Sequence, residues 1–223
     1  MVIINIWNIL WESCSGGPSP DGNQRVELFL QGCKKAYNGN PCRDCFNKEL
    51  WAPGGMQQQV TPYSVAKRII KFAPNKYITI VGGEPTDQMP ELIQLCCILK
   101  DAGFHIIVFT HLELKKEKTF LAPLLRHIDI LIDGEYDDKQ RIFEEESDNS
   151  FSNVVGSANQ IVWDVKAWQN NPFKAITGYR AGNIETLYLK ANTGDLVYIL
   201  TRIAVPTIEE FMEVNQYGKA IGC

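Results

Sequence analysis

The chain has 223 residues, 45% of them apolar, which is enough to bury a core and suits one compact domain with appendages. Its formal net charge of −4 gives no basic excess to neutralise phosphates, so nucleic acid is not expected as a partner. No stretch approaches the roughly 20 apolar residues of a membrane span, and the first residues, MVIINIWNILWESC, lack the basic and small-residue regions of a signal peptide. A cytoplasmic protein is expected. In that compartment thiols stay reduced, so seven cysteines argue for metal binding rather than a disulfide framework.

In chain order, residues 2–11 form an apolar opening strand, followed by the turn-forming SGGPSPDGNQ. A second strand alternates Val26, Leu28 and Leu30 with Glu27 and Phe29 and ends at Gly32. It delivers Cys33, Cys42 and Cys45 to a loop rich in Gly, Asn and Pro. Thr61-Pro62 starts a helix with Val65, Ile69, Ile70 and Phe72 on one face, ending before Pro74. The β-branched run Lys76–Val81 is a buried strand that breaks at Gly82-Gly83-Glu84-Pro85. A helix over 90–102 follows, with Cys96 and Cys97 as core thiols and Gly103 as its C-cap.

Phe104–Phe109 is a further buried strand, ending at Thr110-His111. Residues 115–126 read as a helix, and His127–Ile132 as a strand ending at Asp133-Gly134. This strand–helix–strand spacing predicts α/β structure with βαβ units and a parallel sheet. Polar sites in such sheets collect at the strands' carboxyl ends, where the cysteines, Gly82-Gly83-Glu84, Thr110 and Asp133 all fall. Beyond lie an acidic, solvated stretch over 137–150, a run over 154–163, and a β-hairpin over 184–201 turning at Asn192–Asp195. The tail from Thr207 carries a capping-box pattern for a terminal helix.

Three clustered thiols suit either an iron–sulfur site or a zinc knuckle completed by Cys14 or a histidine. Three ligands leave a four-coordinate metal one open position. Gly82-Gly83-Glu84-Pro85 alone is equally compatible with a tight turn. In combination, Leu30-Gln31-Gly32-Cys33, Cys42-x-x-Cys45-Phe46-Asn47, Trp51 and the strand-ending Gly82-Gly83-Glu84-Pro85 resemble the radical S-adenosylmethionine (SAM) superfamily. The stretches Asp129–Asp137 and Gly156–Gln160 resemble the activating proteins of anaerobic ribonucleotide reductase and pyruvate formate-lyase.

The resemblance implies a partial (β/α) barrel of parallel strands over 1–165, with 166–223 as a C-terminal extension containing the hairpin and helix. It implies a [4Fe–4S] cluster on Cys33, Cys42 and Cys45, with SAM on the fourth iron and held near Phe46, Asn47, Gly82, Gly83, Glu84, Thr110 and Asp133. Glycines 82 and 83 would let the backbone approach SAM, and Glu84 would accept from its amino group. The implied reaction is that of an oxidoreductase: reductive cleavage of SAM to a 5′-deoxyadenosyl radical, which abstracts hydrogen from a glycyl-radical enzyme. The electron would come from a flavodoxin or ferredoxin. A small molecule or peptide as substrate, and a zinc- or cluster-stabilised binding module without SAM turnover, are the alternatives. Two departures stand out. Eight residues, KKAYNGNP, separate the first two cysteines where the family has three, and Val155 stands where the resembled activators often carry Arg. Lys34, Lys35 and Arg43 are expected to form a solvated basic loop, although near a cluster they would favour its reduced form.

Overall fold

The computed structural model describes residues 2–13, 24–53, 58–142, 155–170, 175–180, 183–189 and 196–201. At its centre are four parallel strands, β2 (Arg25–Leu30), β4 (Tyr77–Gly82), β5 (His105–Phe109) and β6 (Ile130–Asp133), paired in that order. Between them run α2 (Pro62–Phe72), α3 (Met89–Asp101) and α4 (Lys118–Leu125). These are the strand–helix–strand units that the spacing predicts.

The helices form where local chemistry supports them. Thr61 caps α2 by accepting from the Ser64 amide at 3.1 Å, with Pro62 in the first turn. Its Val65, Ala66 and Ile69 face the sheet. Helix α3 buries Leu92, Leu95, Cys96 and Leu99, a three-to-four spacing that keeps them on one face. Gly103 follows at φ +83°, the left-handed conformation that ends a helix most easily on glycine. Against these faces pack Val26, Leu28, Ile78, Ile80, Ile106 and Val108.

The outer strands depart from the all-parallel wall expected of a (β/α) barrel. The ten-stranded sheet runs β10-β9-β8-β7-β6-β5-β4-β2-β1-β3. Strands β1 (Ile4–Ser13) and β3 (Gln58–Val60) at one edge are antiparallel to their neighbours. So are β7 (Ile161–Asp164), β8 (Ile176–Arg180), β9 (Asn183–Leu189) and β10 (Leu196–Thr201) at the other. A parallel neighbour needs a crossover, whereas an antiparallel one needs only a return. The β9–β10 pair is the predicted hairpin, in register from Leu196 opposite Leu189 to Thr201 opposite Ile184. Two short helices remain, α1 (Lys34–Tyr37) in the cysteine loop and α5 (Val165–Asn170) after β7.

Strand β6 starts three residues later than the apolar pattern suggests. Asp129, 1% exposed, instead binds Lys100 Nζ at 2.8 and 2.9 Å and accepts from the Ile106 amide. Cys14, the acidic run at 144–146, the hairpin turn, the predicted helix from Thr207 and Cys223 lie outside the described residues. No helix among the described residues is long and apolar enough to cross a membrane.

Candidate metal centre

The cysteine loop leaves β2 and returns beside its own starting point. Gly32 N donates to Leu50 O at 2.8 Å, Cys33 N to Trp51 O at 3.0 Å, and Gln31 Nε2 to Ala52 O. The carboxyl end of β4 is stitched to the same place, with Gly83 N on Leu30 O at 2.9 Å and Glu84 N on Gly32 O at 2.7 Å. Asn47 closes the ring by donating Nδ2 to Gly82 O at 3.0 Å. Two strand ends and the thiol loop thus form one hydrogen-bonded unit.

The two glycines have a reason the sequence does not reveal. A Cβ on Gly82 would lie 2.3 Å from Leu30 O, and one on Gly83 would lie 2.1 Å from Gly32 O. Both are required by this chain's own backbone packing, not by an incoming ligand alone. Gly82 also has φ +120°, a region that disfavours other residues.

The expanded spacing between Cys33 and Cys42 builds α1. Its first amide, Lys34 N, donates to Asp87 Oδ2 at 2.6 Å, which fastens the helix to the turn after Glu84. Lys35 Nζ donates to Asn40 O at 2.7 Å and pairs with Glu135 at 3.1 Å; its side chain is 14% exposed. Arg43 makes a parallel bridge to Asp137 and pairs with its carboxylate at 3.8 Å, with half its side chain in solvent. Of the basic loop, Arg43 matches the solvated expectation, whereas Lys35 turns inward.

Cys33 is buried and Cys42 and Cys45 half-buried, all three as free thiols. Burial raises the Cys33 pKa, partly offset by the Ala36 amide, with the charges of Glu84, Asp87 and Cys45 adding to the rise. Burial likewise pushes Cys42 up to about 11, with Lys35 opposing and Glu135 and Cys45 reinforcing. Cys33 and Cys42 each feel the charge of Cys45. Among the described residues no three His, Cys, Asp or Glu side chains converge on a single ion. A [4Fe–4S] cluster takes each cysteine on a different iron, and binding a metal would reverse the raised thiol pKa values by deprotonating the sulfurs. Three soft donors on one loop fit such a group.

Glu84 joins this unit to the next strand end. It is 1% exposed, and its Oε1 accepts from Thr86 N at 2.9 Å, Thr86 Oγ1 at 2.7 Å and Thr110 Oγ1 at 2.8 Å. Its Oε2 accepts from His111 N at 2.8 Å and lies 2.5 Å from His111 Nδ1. Burial disfavours its charge, but the His111 and Thr86 hydrogen bonds and the His111 charge win and hold its pKa below the usual carboxylate range.

Asp133 is fully buried and stands apart. Its Oδ2 accepts from Leu114 N at 2.5 Å, while Oδ1 has no hydrogen-bond partner. Burial pushes its pKa up to about 7, against the opposing Leu114 amide, the nearby Trp163 indole and Lys115. Phe46, 56% exposed, packs against Tyr136 with ring centroids 4.7 Å apart and planes tilted by 47°, and lies under the Arg141 guanidinium at 4.9 Å. The Gly156–Gln160 turn braces this side. Gln160 Oε1 accepts from the Gly156 and Ser157 amides, its Nε2 donates to Gly134 O, and Asn159 Nδ2 donates to Glu135 O.

Hydrogen bonds therefore connect Cys33, Asn47, Gly82, Gly83, Glu84 and Thr110, whereas Phe46 and Asp133 are held by other partners. Sequence reasoning missed His111 and the Lys35–Glu135 pair. The available signals were the position of His111 at a strand end and the presence of Lys35 within the expanded spacing.

A parallel α/β core offering three free thiols from one strand-end loop defines an iron–sulfur-type metal-centre protein. The chain belongs to the radical SAM-type 4Fe-4S single cluster domain family, whose model matches residues 21–163. Its family cofactors are a [4Fe–4S] cluster and S-adenosylmethionine. The chain is similar to the pyruvate formate-lyase-activating enzymes of Staphylococcus aureus strains USA300 and N315, each 29% identical over 117 residues. Those matches cover 48% of this chain and 45% of each relative, so the chain spans less than half the length of these curated relatives.

Proposed function

We propose that this chain is a radical SAM oxidoreductase that abstracts hydrogen from a glycyl-radical enzyme, such as anaerobic ribonucleotide reductase, and so activates it. The observation that carries this reading is the hydrogen-bonded unit joining the three-thiol loop to the Gly82-Gly83-Glu84 end of β4. When bound, the cluster and SAM would supply one-electron reductive cleavage of the sulfonium. Cys33, Cys42 and Cys45 hold the cluster. Phe46, Asn47, Gly82, Gly83, Glu84, Thr110 and Asp133 would lie near SAM, the two glycines allowing close backbone approach.

The similarity to pyruvate formate-lyase-activating enzymes supports a glycyl-radical enzyme as partner. The electron comes from a flavodoxin or ferredoxin in the cytoplasm. The sheet curves as a partial barrel over 1–165, with 166–223 as an extension packed on it, and its lateral opening admits the partner's glycine loop.

Anaerobically reconstituted protein is expected to be brown and to convert SAM to 5′-deoxyadenosine and methionine with dithionite. It should also generate a glycyl-radical signal in an anaerobic ribonucleotide reductase. Cys42→Ala should abolish cleavage, a loss of more than about a thousandfold. A colourless protein holding one zinc and leaving SAM intact would overturn the reading. SAM cleavage without any radical on a partner protein would instead redirect the substrate to a small molecule or peptide.

A further inference from the structure

The segment after β6 and the Gly156–Gln160 turn meet residue by residue. Gln160 Nε2 donates to Gly134 O at 3.0 Å, and Asn159 Nδ2 donates to Glu135 O at 2.7 Å. Asp137 N donates to Ser157 Oγ at 3.2 Å. Tyr136 is held by shape, since a Cβ on Gly156 would lie 3.0 Å from its ring. The turn is itself tied, because Gln160 Oε1 accepts from the Gly156 and Ser157 amides at 2.9 and 3.2 Å. Ser157 and Gln160 are both buried.

Three consecutive residues of that segment grip the cysteine loop with their side chains. Glu135 pairs with Lys35 at 3.1 Å, and the Tyr136 ring packs on Phe46 with centroids 4.7 Å apart. Asp137 pairs with Arg43 at 3.8 Å, and a parallel backbone bridge joins the same two residues. Lys35 lies within the expanded spacing, while Arg43 and Phe46 stand on either side of Cys45. Both ion pairs have one partner about half in solvent, Glu135 and Arg43, and pairs of that exposure are individually weak. They hold the loop only if the backbone that carries Glu135, Tyr136 and Asp137 is fixed. The Gly156–Gln160 turn is what fixes it.

We propose that the Gly156–Gln160 turn positions the metal ligands, by fixing the three residues that hold the long Cys33–Cys45 loop closed in the form that takes the cluster. This rests on the reading that Cys33, Cys42 and Cys45 are the ligands. Asn159 and Ser157 are thus positioning residues that act through Glu135 and Asp137. Eight residues between Cys33 and Cys42 give the loop freedom that a bound metal would otherwise have to remove. A loop already closed by protein contacts leaves the metal less ordering to do. The same grip keeps the Lys35 charge and the Tyr136 amide acting on Cys42, where both favour the thiolate. It therefore bears on the reduction potential of the cluster as well as on its retention.

The test uses the anaerobically reconstituted holoprotein and two substitutions that alter no charge. Asn159→Ala removes the donor to Glu135 O, and Ser157→Ala removes the acceptor of the Asp137 amide. Each is expected to speed the loss of iron to a ferrous chelator by about tenfold. Each should also lower the midpoint potential of the cluster in an EPR-monitored titration. Asn75→Ala deletes a similar hydrogen bond, from Asn75 Nδ2 to Gln24 O, at the amino end of the sheet and should match wild type in both measurements. Wild-type iron loss and potential in the two variants of the turn overturn the proposal. Faster iron loss at an unchanged potential overturns it too, since that reports only a weakened fold. If this happens while Cys42→Ala fails to take up a cluster, the ligand reading stands and the role of the turn falls. If Cys42→Ala keeps an intact cluster, both fall.

Discussion

The two ends of the parallel sheet both bury ionisable groups, and the Arg25–Asp129 cluster at one end contrasts with the thiols and Asp133 at the other. At the amino end Arg25, 0% exposed, donates Nε to Thr79 Oγ1 at 2.8 Å and the same guanidinium to Ile78 O at 2.6 Å and His105 O at 3.0 Å. Burial lowers its pKa only to about 9, so it stays charged, while burial pushes the adjoining His105 down to about 3 and keeps it neutral. Burial disfavours the Asp129 carboxylate, but Lys100 and the Ile106 amide outweigh it and hold Asp129 below the usual carboxylate range. Every charge there has internal partners. At the carboxyl end, burial instead raises Cys33, Cys42 and Asp133, which disfavours their anions at neutral pH. Glu84, at the same end, is held ionised by its own donors as Asp129 is, so the carboxyl end is set apart by Cys33, Cys42 and Asp133, acids that gain from an added cation.

Breaking the amino end should have the larger effect on folding. Asp129→Ala leaves Lys100 half-sunk without its carboxylate and the Ile106 amide without its acceptor. Removing one partner of a buried pair costs about 3–5 kcal/mol. Denaturant unfolding should record that loss, while the protein that remains folded still takes up iron on reconstitution. A loss below about 1 kcal/mol would remove the contrast between the two ends.

The carboxyl end makes a prediction of opposite sign. The folded-state pKa of Asp133, about 7, lies above its unfolded value, so the folded protein binds the extra proton. Stability from this group is present at acid pH and is lost as pH rises from about 4 to about 7. Asp133→Asn should therefore be more stable than wild type at pH 8, by on the order of 2–4 kcal/mol, and nearly equal to it at pH 4. Denaturant titrations of the metal-free protein at the two pH values measure this, and equal differences at both would refute it.

The central sheet was legible because KYITIV, FHIIVF and HIDILI are β-branched runs spaced by amphipathic helices. The thiols were legible by their clustering, and Glu84 by its place after two glycines. What the glycines touch was not, since Leu30 and Gly32 lie some fifty residues away in sequence. Separation in sequence, 27 residues for His111 and Glu84 and 54 for Arg25 and Thr79, hid those pairings too. The direction of β7 was also hidden, because a short buried run such as IVWD reads alike in parallel and antiparallel pairing. That is why the antiparallel direction of the outer strands was not foreseen.

The smallest effect on stability belongs to the residue that most separates this loop from a shorter one. Lys35 sits in the expanded spacing, pairs with a half-exposed Glu135, and favours the Cys42 thiolate. A pair of that exposure contributes about 0–1 kcal/mol, so Lys35→Met should scarcely alter unfolding. Its charge nevertheless acts on the Cys42 thiol, and positive charge there stabilises the reduced and more negative state of a cluster. Lys35→Met should therefore lower the midpoint potential of the reconstituted cluster in an EPR-monitored redox titration. Arg43→Met, whose parent side chain is half in solvent against Asp137, should lower it less. Equal shifts in the two variants would return Lys35 to the solvated basic loop. A shift confined to Lys35 would make the five added residues a means of bringing one positive charge to the metal centre.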